Sequence, residues 1–187
     1  MTRFLLIPAL LTGYFCDRGL DRLIHPPKYP RTVYFSFLAF AVLYFSPGTP
    51  AERFQGFLFA QMLIAAGYVD RKTREIPNVL IASIFLVSLI RPDLKMSLLG
   101  AVFLSAPLWI LGTLIPGSVG GGDIKLIAAC GAVLGPAGIF AGTAFSLIAF
   151  LFFLLFRFML HKKRQKTYAM APWLGIGCFL AYFLKMR

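Results

Sequence analysis

The chain has 187 residues, 59% of them hydrophobic and 14% charged, with a mean hydropathy of +0.79. A water-soluble domain carries about a quarter charged residues, so this composition excludes nearly all soluble folds and points to a membrane protein. The 19 Lys and Arg against 7 acids leave a net charge of +12, but the bases lie in short clusters between apolar runs. That pattern argues for anchoring in a lipid bilayer beside an anionic cytoplasmic leaflet and against a nucleic-acid surface.

In chain order, Arg3 precedes the apolar stretch Phe4–Leu11, which resembles the start of a signal peptide. No small-x-small cleavage site follows, and Tyr14 and Phe15 are too large for a lipoprotein-type site at Cys16. The stretch is therefore read as a first span. Pro, Gly and charge divide the apolar sequence into eight predicted spanning helices, at 4–16, 33–46, 54–69, 77–90, 97–115, 124–134, 137–158 and 168–184. The expected fold is an all-α polytopic bundle forming a single integral membrane domain over residues 1–187, with no separate soluble domain or repeat. Several spans fall short of the usual ~20 residues, which implies a thinned bilayer or helix ends sheltered by protein. Cys16, Cys130 and Cys178 are far apart in sequence and form neither a disulfide framework nor a CxxC metal site.

Counting Lys and Arg in alternate loops orients the bundle. With eight spans, thirteen bases fall on the side of residues 17–32, 70–76, Lys125 and 157–167, and six on the other. The richer side is expected to face the cytoplasm. If segment 124–134 dipped in and returned, the split would become ten against nine and the bias would vanish. A single helix over 124–158 would exceed 50 Å at about 1.5 Å per residue, and Gly135-Pro136 interrupts it.

Asp17, Asp21, Glu52, Glu75 and Asp93 lie in expected loops and read as solvated charges. Asp70 and Asp123 differ, because each abuts an apolar run at the predicted cytoplasmic end of a helix, and acids at membrane depth are functional candidates. Taken singly, Asp70 can be an interfacial charge neutralised by Arg71 and Lys72, and Asp123 a helix cap. A small transporter using both as proton or cation sites, and a non-catalytic assembly protein of a secretion system, are further readings. Taken together, two carboxyls at one depth suit the shared-proton chemistry of aspartic peptide hydrolysis. Gly120, Gly121 and Gly122 before Asp123 admit close backbone approach. They form no Walker A loop, since no GK[ST] follows. Pro77 suits the first turn of the next helix, making 71–76 a tight turn with Asp70 at its mouth. His25 and His161 lack companion ligands, and Trp109 and Trp173 suit interface anchors.

Asp70 followed by Ile76-Pro77-Asn78, and later Gly120-Gly121-Gly122-Asp123-Ile124-Lys125-Leu126, resemble the two aspartate motifs of the prepilin peptidases. These are type IV leader peptidases, membrane aspartic proteases with a G-x-G-D motif and a presenilin-like helical fold. Ala171-Pro172-Trp173-Leu174-Gly175-Ile176-Gly177 is similar to that family's late proline-containing segment. The resemblance implies cleavage of the short basic leader from type IV prepilin or type II secretion pseudopilin precursors, at the cytoplasmic face of the bacterial inner membrane. It also implies contacts with the pilus or secretion machinery. It carries the catalytic role onto Asp70 and Asp123, loop shaping onto Gly120 and Gly122, and a basic site residue onto Lys125. Larger members insert a four-cysteine loop associated with zinc, and many methylate the new N-terminus. The equivalent loop here, 17–31, contains no cysteine, so no metal and no other cofactor is expected, and methyl transfer is in doubt.

Overall fold

The computed structural model describes residues 38–39, 41–42, 47–90, 93–160 and 168–186. Among them are five helices and no strand: α1 (Pro50–Thr73), α2 (Asn78–Ser88), α3 (Leu94–Leu114), α4 (Gly121–Met159) and α5 (Ala171–Lys185). Local chemistry sets their starts. Thr49 and Glu52 form a reciprocal capping box on α1, with Glu52 Oε2 accepting from the Thr49 amide at 2.7 Å. Asp93 Oδ1 accepts from the Met96 amide at 3.3 Å and so caps α3. Glu52 and Asp93, expected as solvated loop charges, are thus helix caps.

The 39-residue α4 is not one rod. Gly135 has φ 76 and ψ 176, a region open to glycine, and divides the helix into two arms, 121–134 and 136–159. Contacts along α5 give their directions. At its C-terminal end, Lys185 Nζ donates to the main-chain oxygens of Val133 at 3.4 Å and Leu134 at 3.1 Å. Toward its N-terminal end, Ser146 Oγ donates to Leu174 O at 3.4 Å, and the Phe153 and Trp173 rings lie 4.8 Å apart. The first arm carries Asp123 in its first turn, in a cleft shared with Asp70, and Asp70 bonds to Ala171 at the N-terminal end of α5. The chain therefore runs from the aspartate end to the Lys185 end and folds back at Gly135-Pro136. That reversal separates segments 124–134 and 137–158 as the sequence predicts.

The backbone break leaves carbonyls without helical partners. Pro136 has no N–H to offer, and the Lys185 ammonium supplies the donor for Val133 and Leu134.

Close helix approach rests on missing side chains. A Cβ on Gly100 would collide with the Gly131 carbonyl, where α3 crosses the first arm. A Cβ on Gly177 would collide with Ser146 Oγ and the Gly142 carbonyl, where α5 crosses the second arm. Small-residue crossings of this kind are how helices pack where no hydrophobic force drives them together. The buried core, with Phe59, Ile84, Leu126, Ile139 and Leu174 at its centre, joins α1, α2, both arms of α4 and α5. Cys130 and Cys178, remote in sequence, meet inside it as free thiols.

Outside, the pattern of a soluble protein is inverted. Large apolar side chains such as Leu98, Phe103, Trp109 and Ile110 on α3, and Leu151, Phe152 and Phe156 on α4, are exposed. Such extended apolar surface requires a lipid solvent. Among the described residues α3 and α4 are long and apolar enough to cross a bilayer, and within α4 the second arm has the length. Eight crossings are not evident. The first expected span and part of the second lie outside the described residues. The 77–90 span is reduced to the 11 residues of α2, and α5 has 15, both below the ~20 that cross a bilayer unaided. Trp173, expected as an interface anchor, packs instead among Phe150 and Phe153. The chain is a helical membrane protein.

Candidate active site

Asp70 lies on the last turn of α1 and is 7% exposed. The helix ends four residues later, where the Arg74 amide donates to the Asp70 carbonyl at 2.9 Å with Arg74 in the left-handed conformation at φ 61. A non-glycine residue there is uncommon and costs roughly 1 kcal/mol. The turn is held by Thr73, whose hydroxyl donates to the Glu75 carbonyl at 3.0 Å and accepts from the Glu75 amide at 3.3 Å. Chain direction thus reverses within three residues, and Pro77 stands at the N-cap of α2, one position before its first turn.

Asp123 is the third residue of α4, and Gly120 is the N-cap. Its carboxyl folds back over the cap, so that a Cβ on Gly120 would lie 3.1 Å from Asp123 Oδ2. Across the gap, Lys125 Nζ donates to Asn78 Oδ1 at 3.2 Å and ties the first turn of α4 to the first turn of α2.

These elements enclose a cleft of about 340 Å³ lined by Asp70 and Asp123, by Gly120, Gly121 and Gly122, by Lys125, and by Arg74, Glu75, Ile76 and Asn78. The structure therefore brings together the aspartates, the three glycines and Lys125. Pro77 does not line the cleft; its role is to start α2. Glu75, expected as a solvated charge, is exposed and lines the cleft as well. His25, His161 and the loop 17–31 lie outside the described residues.

One contact has no sequence signal. Asp70 Oδ2 accepts from the Ala171 amide at 3.1 Å, a buried bond between residues 101 positions apart. Every residue but proline carries the same main-chain donor, so only the fold reveals it. Asp123 lies in the first turn of α4, where the helix dipole favours a carboxylate, whereas Asp70 lies at the C-terminal end of α1, where it does not, and meets a helix N-terminus only through the Ala171 amide of α5. The amide bond, of a type contributing about 1.5–3 kcal/mol when one partner is charged, belongs to Asp70.

Two carboxyls facing one small cleft beside glycine backbone can activate a water and polarise a carbonyl. A family model described as the type IV leader peptidase family matches residues 57–159. No curated protein and no solved structure matches the chain. The matched stretch takes in Asp70, the glycine run and Asp123 and exceeds half of the 187 residues, so the chain belongs to the type IV leader peptidase family.

Proposed function

We propose that this peptidase is an aspartic endopeptidase that removes the short basic leader of type IV prepilin or type II secretion pseudopilin precursors. The observation that carries the reading is the shared cleft of Asp70 and Asp123 at one end of the bundle. In this reading the two carboxyls hold one proton between them, because two like charges in a restricted site do not both ionise readily. The ionised carboxylate takes a proton from water as its oxygen attacks the scissile carbonyl carbon. The protonated partner gives its proton to the carbonyl oxygen, forming a tetrahedral diol. Collapse breaks the C–N bond: one diol hydroxyl returns its proton to the carboxylate that had donated it, and the proton taken from water passes to the leaving amine, restoring the dyad. Gly120, Gly121 and Gly122 leave room for the substrate backbone, and Lys125 steadies the loop through Asn78.

Orientation follows from charge. Arg71, Lys72, Arg74, Lys125 and Arg157 gather at the aspartate end, whereas Arg53, Lys95 and Lys185 occupy the other, which supports a cytoplasmic active site in the bacterial inner membrane. The whole chain, 1–187, acts as one peptidase domain, requires no zinc and leaves its product unmethylated. A proton- or cation-coupled transporter using the same acids fits less well, because both lie at one end of the bundle rather than midway through it. Incubation of the reconstituted protein with a pilin-type precursor and S-adenosylmethionine tests the reading: leader loss without a mass gain of one methyl group is expected. An intact precursor under conditions where the protein is folded would overturn it.

A further inference from the structure

The first turn of α5 has few donors to offer. Pro172 has no N–H, and the amides of Trp173 and Leu174 both donate to the Met170 carbonyl at 3.1 Å. Met170, the N-cap, supplies no side-chain cap. The Ala171 amide is thus the donor of that turn directed away from its own helix, and it ends on Asp70 Oδ2. The approach is set by Gly67, one turn before Asp70 on α1. A Cβ there would stand 3.1 Å from Pro172 Cα and 3.4 Å from Pro172 N, both main-chain atoms that cannot rotate aside. Ala171 itself is 1% exposed.

We propose that the Ala171-Pro172 start of α5, seated on Gly67, is the positioning element of the Asp70 carboxyl: it holds Oδ2 by the Ala171 amide and thereby fixes how the carboxyl faces Asp123. Pro172 serves the device by contributing no competing donor and by presenting a flat main-chain surface to Gly67. Ala171, Pro172 and Gly67 are positioning residues, acting on the substrate through Asp70. The proposal rests on the dyad reading and is tested separately from it.

The experiment measures kcat and KM for a pilin-type precursor with the full-length protein in proteoliposomes. Ala171→Pro deletes the amide proton, and Ala171→Gly keeps it. Ala171→Pro should lower kcat about 30- to 100-fold with KM within about twofold, the size of effect expected when a reacting group is misplaced by under an ångström. Ala171→Gly should stay within about threefold of the parent, rescuing the loss. Should Ala171→Pro fail to fold, Gly67→Ala gives the same information by displacing Pro172. Gly175→Ala serves as the control at the same α1–α5 interface, where the added Cβ meets Leu63 Cβ at an ordinary 3.6 Å. In an Asp70→Asn background, itself inactive, Ala171→Pro should produce no further loss. Equal losses for Ala171→Pro and Ala171→Gly, a loss confined to KM, or parental kcat in Ala171→Pro or Gly67→Ala would overturn the proposal. Parental activity of Asp70→Asn would instead remove the dyad on which it stands.

Discussion

The three glycines before Asp123 are identical in sequence but not in surroundings, and alanine at each should have a different effect. At Gly120 the added Cβ falls 3.1 Å from Asp123 Oδ2 and 3.8 Å from its Cγ, whereas ordinary contacts begin at 3.4 Å. The backbone there, φ −69 and ψ 131, accepts alanine, so the conflict is between the methyl and the carboxyl alone. The carboxyl must yield by a few tenths of an ångström. Misplacement of a reacting group by about 1 Å costs about a hundredfold in rate, so this displacement should lower kcat about four- to tenfold. At Gly122 the Cβ meets the Ile76 side chain at 3.7 Å, and at Gly121 it meets nothing within 4 Å. The loss should therefore be largest for Gly120→Ala, smaller for Gly122→Ala and smallest for Gly121→Ala. Replacing a glycine N-cap by alanine also weakens the helix start by about 0.5–1 kcal/mol, too little to unfold the protein and read separately by thermal unfolding in detergent. Steady-state cleavage of a pilin-type precursor by the three variants gives the order. A larger kcat loss in Gly121→Ala than in Gly120→Ala would refute the assignment of Gly120 to the Asp123 carboxyl.

Gly177→Ala should destabilise the bundle by about 1–2 kcal/mol, since overpacking against the fixed backbone of Gly142 and Ser146 outweighs the gain in helix propensity. Gly112→Ala, whose Cβ meets only the tip of Ile124 at 3.7 Å, should be neutral or slightly stabilising, and detergent unfolding midpoints compare the two. Lys185→Met removes the donor from Val133 and Leu134; because these carbonyls border an open cleft that water can enter, the cost should be about 1 kcal/mol rather than the 1.5–3 of a dry site. Lys185→Arg should recover most of it in the same unfolding assay. The reversal at Gly135 is tested by labelling with an impermeant thiol reagent in a chain lacking Cys16, Cys130 and Cys178. Cysteines at Ser118 and Leu160 should both be protected from outside, and one at Lys95 labelled. Opposite behaviour of positions 118 and 160 would mean that α4 crosses as one rod.

What the sequence disclosed was what few residues could say loudly. With 7 acids in 187 residues, Asp70 and Asp123 stand out, and the glycine run beside one of them marks a backbone approach site. Gly135-Pro136 likewise announces a break, because glycine alone reaches that φ easily and proline restarts a helix without a donor. The caps at Glu52 and Asp93 had a local signature too, Thr49 lying three residues before Glu52, but apolar-run counting treats every charge between spans as loop. Other features depend on three-dimensional neighbours. The Ala171 amide on Asp70, the Gly67 seat for Pro172 and the turn that brings Glu75 to the cleft join residues or backbone groups that carry no periodicity. α2 stops at Ser88, where the Leu89 and Ile90 amides turn back to the Leu86 and Val87 carbonyls, a local end that apolarity over 77–90 does not encode.

The central claim, that Asp70 and Asp123 act as one catalytic unit, is tested by cleavage of a purified pilin-type precursor by the parent, Asp70→Asn and Asp123→Asn in proteoliposomes. Each substitution keeps the side-chain shape and removes the titratable oxygen. The account predicts that either variant accumulates and unfolds like the parent yet loses cleavage by about a thousandfold or more, and that the double variant is no worse than either single one, since groups acting as a unit fail together. Leader removal at the parental rate by either single variant would contradict it.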